Sequence, residues 1–100
     1  MVMTKIEFME NLCIELGSAY QVIEVDSEYI ISGWFDNGHA VEIEINDNPA
    51  DKFYATIHLY EDAEKIPEYE GEIMKEVGSI GNIHSVEDLE LHLEALKARR

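Results

Sequence analysis

Four histidines and one cysteine are the side chains of this chain best able to hold a metal, and their spacing argues against it. His39, His58, His84 and His92 fall on separate segments, with none of the HxH, HExxH or CxxC patterns that turn two ligands toward one ion. Asp36-Asn37-Gly38 looks like a fragment of a calcium loop, but the alternate acids before it and the closing glutamate are missing, so a hairpin turn is expected. Gly78-Ser79-Ile80-Gly81 has the paired glycines of a backbone phosphate clamp. Glu76 stands beside it with hardly a base in reach, so it is read as a turn. Ser18, Ser32 and Ser79 lack the strand-turn-helix elbow that activates a serine, and neither glycine-rich nucleotide motif is present. No metal, no cofactor and no catalytic residue is expected.

Carboxylates are the one reactive type in excess. The chain carries 22 acids against 7 bases, a formal net charge of −15. With so many, almost any fold brings some pair together, and general acid–base work would need one carboxyl set apart by burial or a partner. The distribution is more informative. Between positions 6 and 96 stand three lysines against all 22 acids, a net of −19, while Lys5, Lys97, Arg99 and Arg100 occupy the margins. Residues 61–76 hold seven of the acids. Such a body repels nucleic acid and anionic membranes and attracts basic surfaces.

Solubility alone asks for a net charge of roughly 2–8 on a small domain, so the surplus points to a use. Alternate strand residues such as Glu42 and Glu44 stand about 6.7 Å apart on one face. Helical neighbours such as Glu87, Glu90 and Glu94 approach to about 5–6 Å at Cβ. Both spacings suit a lattice of Lys and Arg built for phosphates, which duplex DNA presents at one charge per ~1.7 Å. Exposed ion pairs contribute only about 0–1 kcal/mol each, so desolvated anchors are also needed. Trp34, Tyr54, Tyr60 and Tyr69 would serve where exposed, although burial is the ordinary expectation for Trp34.

The elements that must position these residues follow from periodicity. One hundred residues, 46% of them apolar, suit a single domain over 1–100 with a core that needs no staple. Cys13 is expected to be a buried free thiol. The chain shows no basic stretch followed by an apolar leader core, and no apolar run of the ~20 residues a bilayer crossing needs, so a cytoplasmic protein is expected.

Thr4, Glu7 and Gly17 bracket a helix whose Ile6, Met9, Leu12, Cys13 and Leu16 form one stripe. The period then falls to 2. Residues 20–25 and 28–35 flank the turn pair Asp26-Ser27, and 39–45 follow the Asp36-Asn37-Gly38 turn. In 52–61, Phe53, Ala55, Ile57 and Leu59 should face the core, with Tyr54, Thr56, His58 and Tyr60 opposite. Residues 61–84 admit either a short helix begun by Pro67 or a fifth strand in 72–77, with the strand favoured. Ser85 caps a last helix with Val86, Leu89, Leu93 and Leu96 on one side. The expected fold is α+β: a meander of four or five antiparallel strands with the N-terminal and C-terminal helices packed on one face.

The expected function is that of a small acidic inhibitor occupying the basic nucleic-acid-binding surface of a partner. That partner would be a nuclease or a CRISPR or restriction effector, and the chain itself would bind no nucleic acid and no membrane. The phage or mobile-element setting would be anti-defence, and the cellular one an immunity protein. Contact is expected through Glu42, Glu44, Tyr54, His58, Tyr60, Glu61, Asp62, Glu64, Glu68, Glu70 and Glu72. A non-enzymatic assembly subunit with incidental acidity is the alternative, and a homodimer is compatible with either.

Overall fold

A computed structural model describes residues 4–36, 38–61, 65–66, 71–72 and 75–98. Its order is α1 (Lys5–Leu16), β1 (Tyr20–Val25), β2 (Glu28–Trp34), β3 (His39–Ile45), β4 (Ala55–Glu61), β5 (Lys65–Ile66), β6 (Gly71–Glu72), β7 (Lys75–Ile83) and α2 (Val86–Lys97). Five strands form one antiparallel meander in the order β1-β2-β3-β4-β7, and β5 with β6 makes a separate two-residue pair.

The helix starts are set by their caps. The Glu7 backbone N–H donates to Thr4 Oγ1 at 3.2 Å, and the Thr4 hydroxyl donates to Glu7 Oε1 at 3.0 Å. In α2 the Asp88 N–H donates to Ser85 Oγ at 3.1 Å. The two bonds from backbone N–H groups each satisfy a donor that the first helical turn leaves without a carbonyl. Gly17 ends α1 at φ 121°, a region hostile to other residues, and its N–H returns to the Cys13 carbonyl at 3.0 Å.

The first hairpin is as tight as the sequence suggests. Val25 pairs with Glu28, and both residues between them, Asp26 and Ser27, take positive φ (51° and 68°). Two left-handed residues match the right-handed twist of paired strands. The loop 46–54 is tied by Asn46, whose Oδ1 accepts from the Tyr54 N–H at 2.9 Å while its own N–H donates to the Tyr54 carbonyl.

Both helices pack on one face. Met9, Leu12 and Cys13 from α1 and Leu89, Leu93 and Leu96 from α2 join Ile31, Val41, Ile43, Ile57 and Ile83 in one core. Met9, Ile31, Val41, Ile43, Ile57, Ile83 and Leu89 are fully buried. Full burial of each such side chain contributes about 1.5–3 kcal/mol, enough in sum to hold the two layers together. Cys13 belongs to this core, and burial, followed by the charge of Glu10, pushes its thiol up and away from reactivity.

Within 61–84 the favoured strand is found and one expectation is corrected. The described parts of 67–77 are strand backbone, the alternative preferred over the helix. Gly78-Ser79-Ile80-Gly81 is not a turn but the middle of β7. The glycines mark irregular pairing: the β4–β7 register shifts twice, and Asn82 takes φ 59°. Glycine inside a strand often signals such a bulge, where an extra residue is taken up and a neighbour comes close. β2 also ends one residue earlier than expected, at Trp34.

Gly33 illustrates how closely the sheet is packed. A Cβ there would stand 2.7 Å from Cδ1 and Cε1 of the buried Tyr20 ring. Gly33→Ala is therefore expected to destabilise the fold by about 1–3 kcal/mol in chemical denaturation, the usual cost of overpacking. Ser27→Gly should act the opposite way by about 1 kcal/mol, since glycine has no penalty at positive φ.

Candidate functional site

The face of the sheet turned away from the helices carries the candidate site. Strand alternation and register lay it out in rows. Trp34, Ala40, Tyr60 and Glu76 form one row across β2, β3, β4 and β7, and Ser32, Glu42, His58 and Ser79 form the next. Glu44 and Thr56 pair in a third.

His58 is at its centre. Its Nδ1 lies 2.7 Å from Glu76 Oε1, and its Nε2 lies 3.0 Å from Glu44 Oε1. The Glu76 contact is a hydrogen bond. The Glu44 contact is an ion pair when the imidazole is protonated. Three strands are thus joined by one ring. Burial alone would lower the imidazole's pKa, but the Glu76 hydrogen bond and the charges of Glu44 and Glu76 outweigh it and hold the pKa above its ordinary value.

Tyr60 sits beside this cluster, its hydroxyl 3.5 Å from Glu42 Oε2. Burial first, then the charges of Glu42 and Glu76, push its phenol up, so it stays neutral and able to donate. Trp34 is 56% exposed, contrary to the expectation that it is buried. The core stripe of β2 is Ile31 and Gly33, so alternation turns Trp34 outward. Tyr54 is 40% exposed, and its ring meets His84 edge-on at 5.1 Å.

Of the residues expected to form the contact surface, Glu42, Glu44, His58 and Tyr60 come together, and Tyr54 stands just before β4 on the same alternation. Glu61 does not join them. One residue past Tyr60, it shares the parity of Leu59 and pairs with His39, Nε2 to Oε1 at 3.3 Å. Asp62, Glu64, Glu68 and Glu70 lie outside the described residues, and Glu72 is described only as backbone of β6. Glu76 was missed as a partner of His58. It is 18 residues away, and the bulge that brings it opposite Tyr60 leaves no periodic signal.

The geometry limits the chemistry. Ser79 is the cross-strand neighbour of His58, yet carboxylates stand against both ring nitrogens, so neither is placed to take a serine proton. Among the described residues, no group of three His, Cys, Asp or Glu side chains is arranged to hold a metal ion. No helix among them is long and apolar enough to cross a membrane. What the face offers is negative charge with aromatic surface between. No protein-family model, curated protein or solved structure matches the chain.

A raised imidazole pKa means that the folded state binds the proton more tightly than the unfolded chain. Stability from His58 is then fully present below the unfolded value of about 6.5 and is lost as pH rises through the higher folded value. His58→Gln should therefore cost more stability at about pH 5.5 than at about pH 9, read as the difference from the parent in urea melts at each pH.

Proposed function

We propose that this chain is a stoichiometric protein inhibitor that occupies the basic nucleic-acid-binding surface of a partner, with the open sheet face as its contact surface. One observation carries the reading. Around His58 on β4, Glu42 and Glu44 from β3 and Glu76 from β7 converge, and no described Lys or Arg side chain lies among them. Trp34, Tyr54 and Tyr60 stand within the same surface as aromatic anchors.

The physical case has two parts. Carboxylates at strand spacing suit a Lys/Arg lattice built for phosphates, and they steer a basic protein toward the face. Exposed ion pairs add little affinity by themselves, whereas Trp and Tyr in a desolvated contact supply much of it. A CRISPR or restriction effector and a basic nuclease have such a surface. A phage anti-defence protein and a nuclease immunity protein would use it identically.

The acids are not confined to this face. Glu10 and Glu15 on α1 and Glu87 and Glu94 on α2 are also exposed, and with them Ile14 (80%) and Leu91 (69%). These two large apolar side chains favour the second reading, an assembly subunit that docks through its helices. Charge separates the two, since only the inhibitor requires a basic partner.

Affinity for the partner, captured from lysate at low salt, should fall roughly tenfold or more between about 50 and about 300 mM salt. Nucleic acid should compete with the chain for it. Glu42→Lys with Glu44→Lys should abolish binding while leaving the melting temperature within a few degrees. Simultaneous binding of duplex DNA and the chain to one partner would reject the proposal, as would binding indifferent to salt.

A further inference from the structure

On the helix side of the molecule, the last turn of α1 and the flank of α2 carrying Glu90, Leu93, Glu94 and Lys97 border a cleft of about 190 Å³, well above the ~30 Å³ share of one water in the liquid. Leu16 and Leu93 line its apolar part. Its polar lining is three carboxylates, Glu15, Glu90 and Glu94, against one ammonium, Lys97, which leaves a net charge of −2.

Tyr20 makes this more than an acidic cluster. It lines the cleft and is only 5% exposed, yet its hydroxyl is buried with no hydrogen-bond partner among the described residues. An unpaired buried hydroxyl costs about 1–3 kcal/mol, so folds seldom leave one without a reason. The ring is packed on both sides. Gly33 stands behind it, and Phe35 meets it edge-on at 6.2 Å. Burial, then the charge of Glu94, pushes the phenol up to about 12, so it is neutral and its oxygen can accept a hydrogen bond.

Lys97 shows which chemistry the cleft takes. Its Nζ lies 5.4 Å from the centre of the Tyr20 ring and 3.4 Å from Glu94 Oε1. An ammonium is thus already held by the ring face and one carboxylate. The hydroxyl has no hydrogen-bond partner among the described residues, and Glu15 and Glu90 line the same cleft.

We propose that this cleft binds an organic cation with N–H donors, a guanidinium or alkylammonium group, seated between Glu15 and Glu90 with the Tyr20 hydroxyl as its inner acceptor. Lys97 covers the inner end and shifts aside as the cation enters. The same group could arrive as an arginine side chain of another protein or as a free polyamine. The site is on the opposite side of the sheet from the open face, so it stands or falls independently of the inhibitor reading.

The test titrates methylguanidinium and, separately, spermidine into the full chain while NMR follows the Tyr20 ring and the Leu16 and Leu93 methyls. Saturable shifts confined to those residues are expected. Tyr20→Phe should weaken the binding about tenfold, the worth of one hydrogen bond to a charged group, without lowering the melting temperature. Should that variant misfold, Glu15→Gln with Glu90→Gln gives the same readout from surface positions and should weaken binding at least as much. Saturation by methylguanidinium alone marks a protein side chain as the natural ligand, and saturation by spermidine alone marks a polyamine. Shifts that never saturate, that spread over the open face, or that keep their affinity in the variants overturn the proposal.

Discussion

One face of a five-stranded meander must be removed from water, and two short helices are what the chain has to do it. Val41, Ile43, Ile57 and Ile83 are fully buried because Met9, Leu12, Leu89 and Leu93 lie over them. Neither helix would be stable alone at 12 residues, since isolated helices of that length are marginal in water. Each layer therefore depends on the other. Everything else about the molecule, including what its other sheet face is free to display, follows from spending both helices on the same side.

That asymmetry gives the acidic residues their two settings. On the helices, Glu87 and Glu94 stand out in solvent, where like charges cost little because water and salt screen them. On the sheet, strand pairing forces Glu42, Glu44 and Glu76 around a single imidazole. Close packing of like charge is tolerable there because His58 can take a proton and stand between them. The open face is thus an anionic surface whose charge depends on one residue's protonation. Its aromatic members, Trp34 and Tyr60, flank the small Ala40, so the surface is ridged rather than flat.

Tyr20 joins the core to the cleft on the helix side. Its ring closes the end of the core beside Gly33 and Phe35, and the residue also lines the cleft between the helices with its hydroxyl buried and unpartnered among the described residues. A phenylalanine would fill the same space without an unsatisfied oxygen, so packing alone does not account for a tyrosine at this position.

Much of this was legible in order along the chain. The caps Thr4 and Ser85, the helical stripes, the Asp26-Ser27 turn and the alternation of β3 and β4 are local signals, because each depends on residues only two to four positions apart. They determined the α+β meander and which side of each strand faces the core. They also brought Glu42, Glu44, His58 and Tyr60 onto one face, since period 2 leaves no other choice once Val41 and Ile57 are buried. What tertiary structure alone decided is where irregular pairing and distant residues intervene. The bulges in β7 carry Glu76 to His58 and turn a glycine pair that reads as a turn into strand, and alternation past Tyr60 sends Glu61 to His39 instead. Such contacts span 18 residues or more, and no short-range periodicity encodes them, because a bulge resets the register by one residue and so exchanges the faces.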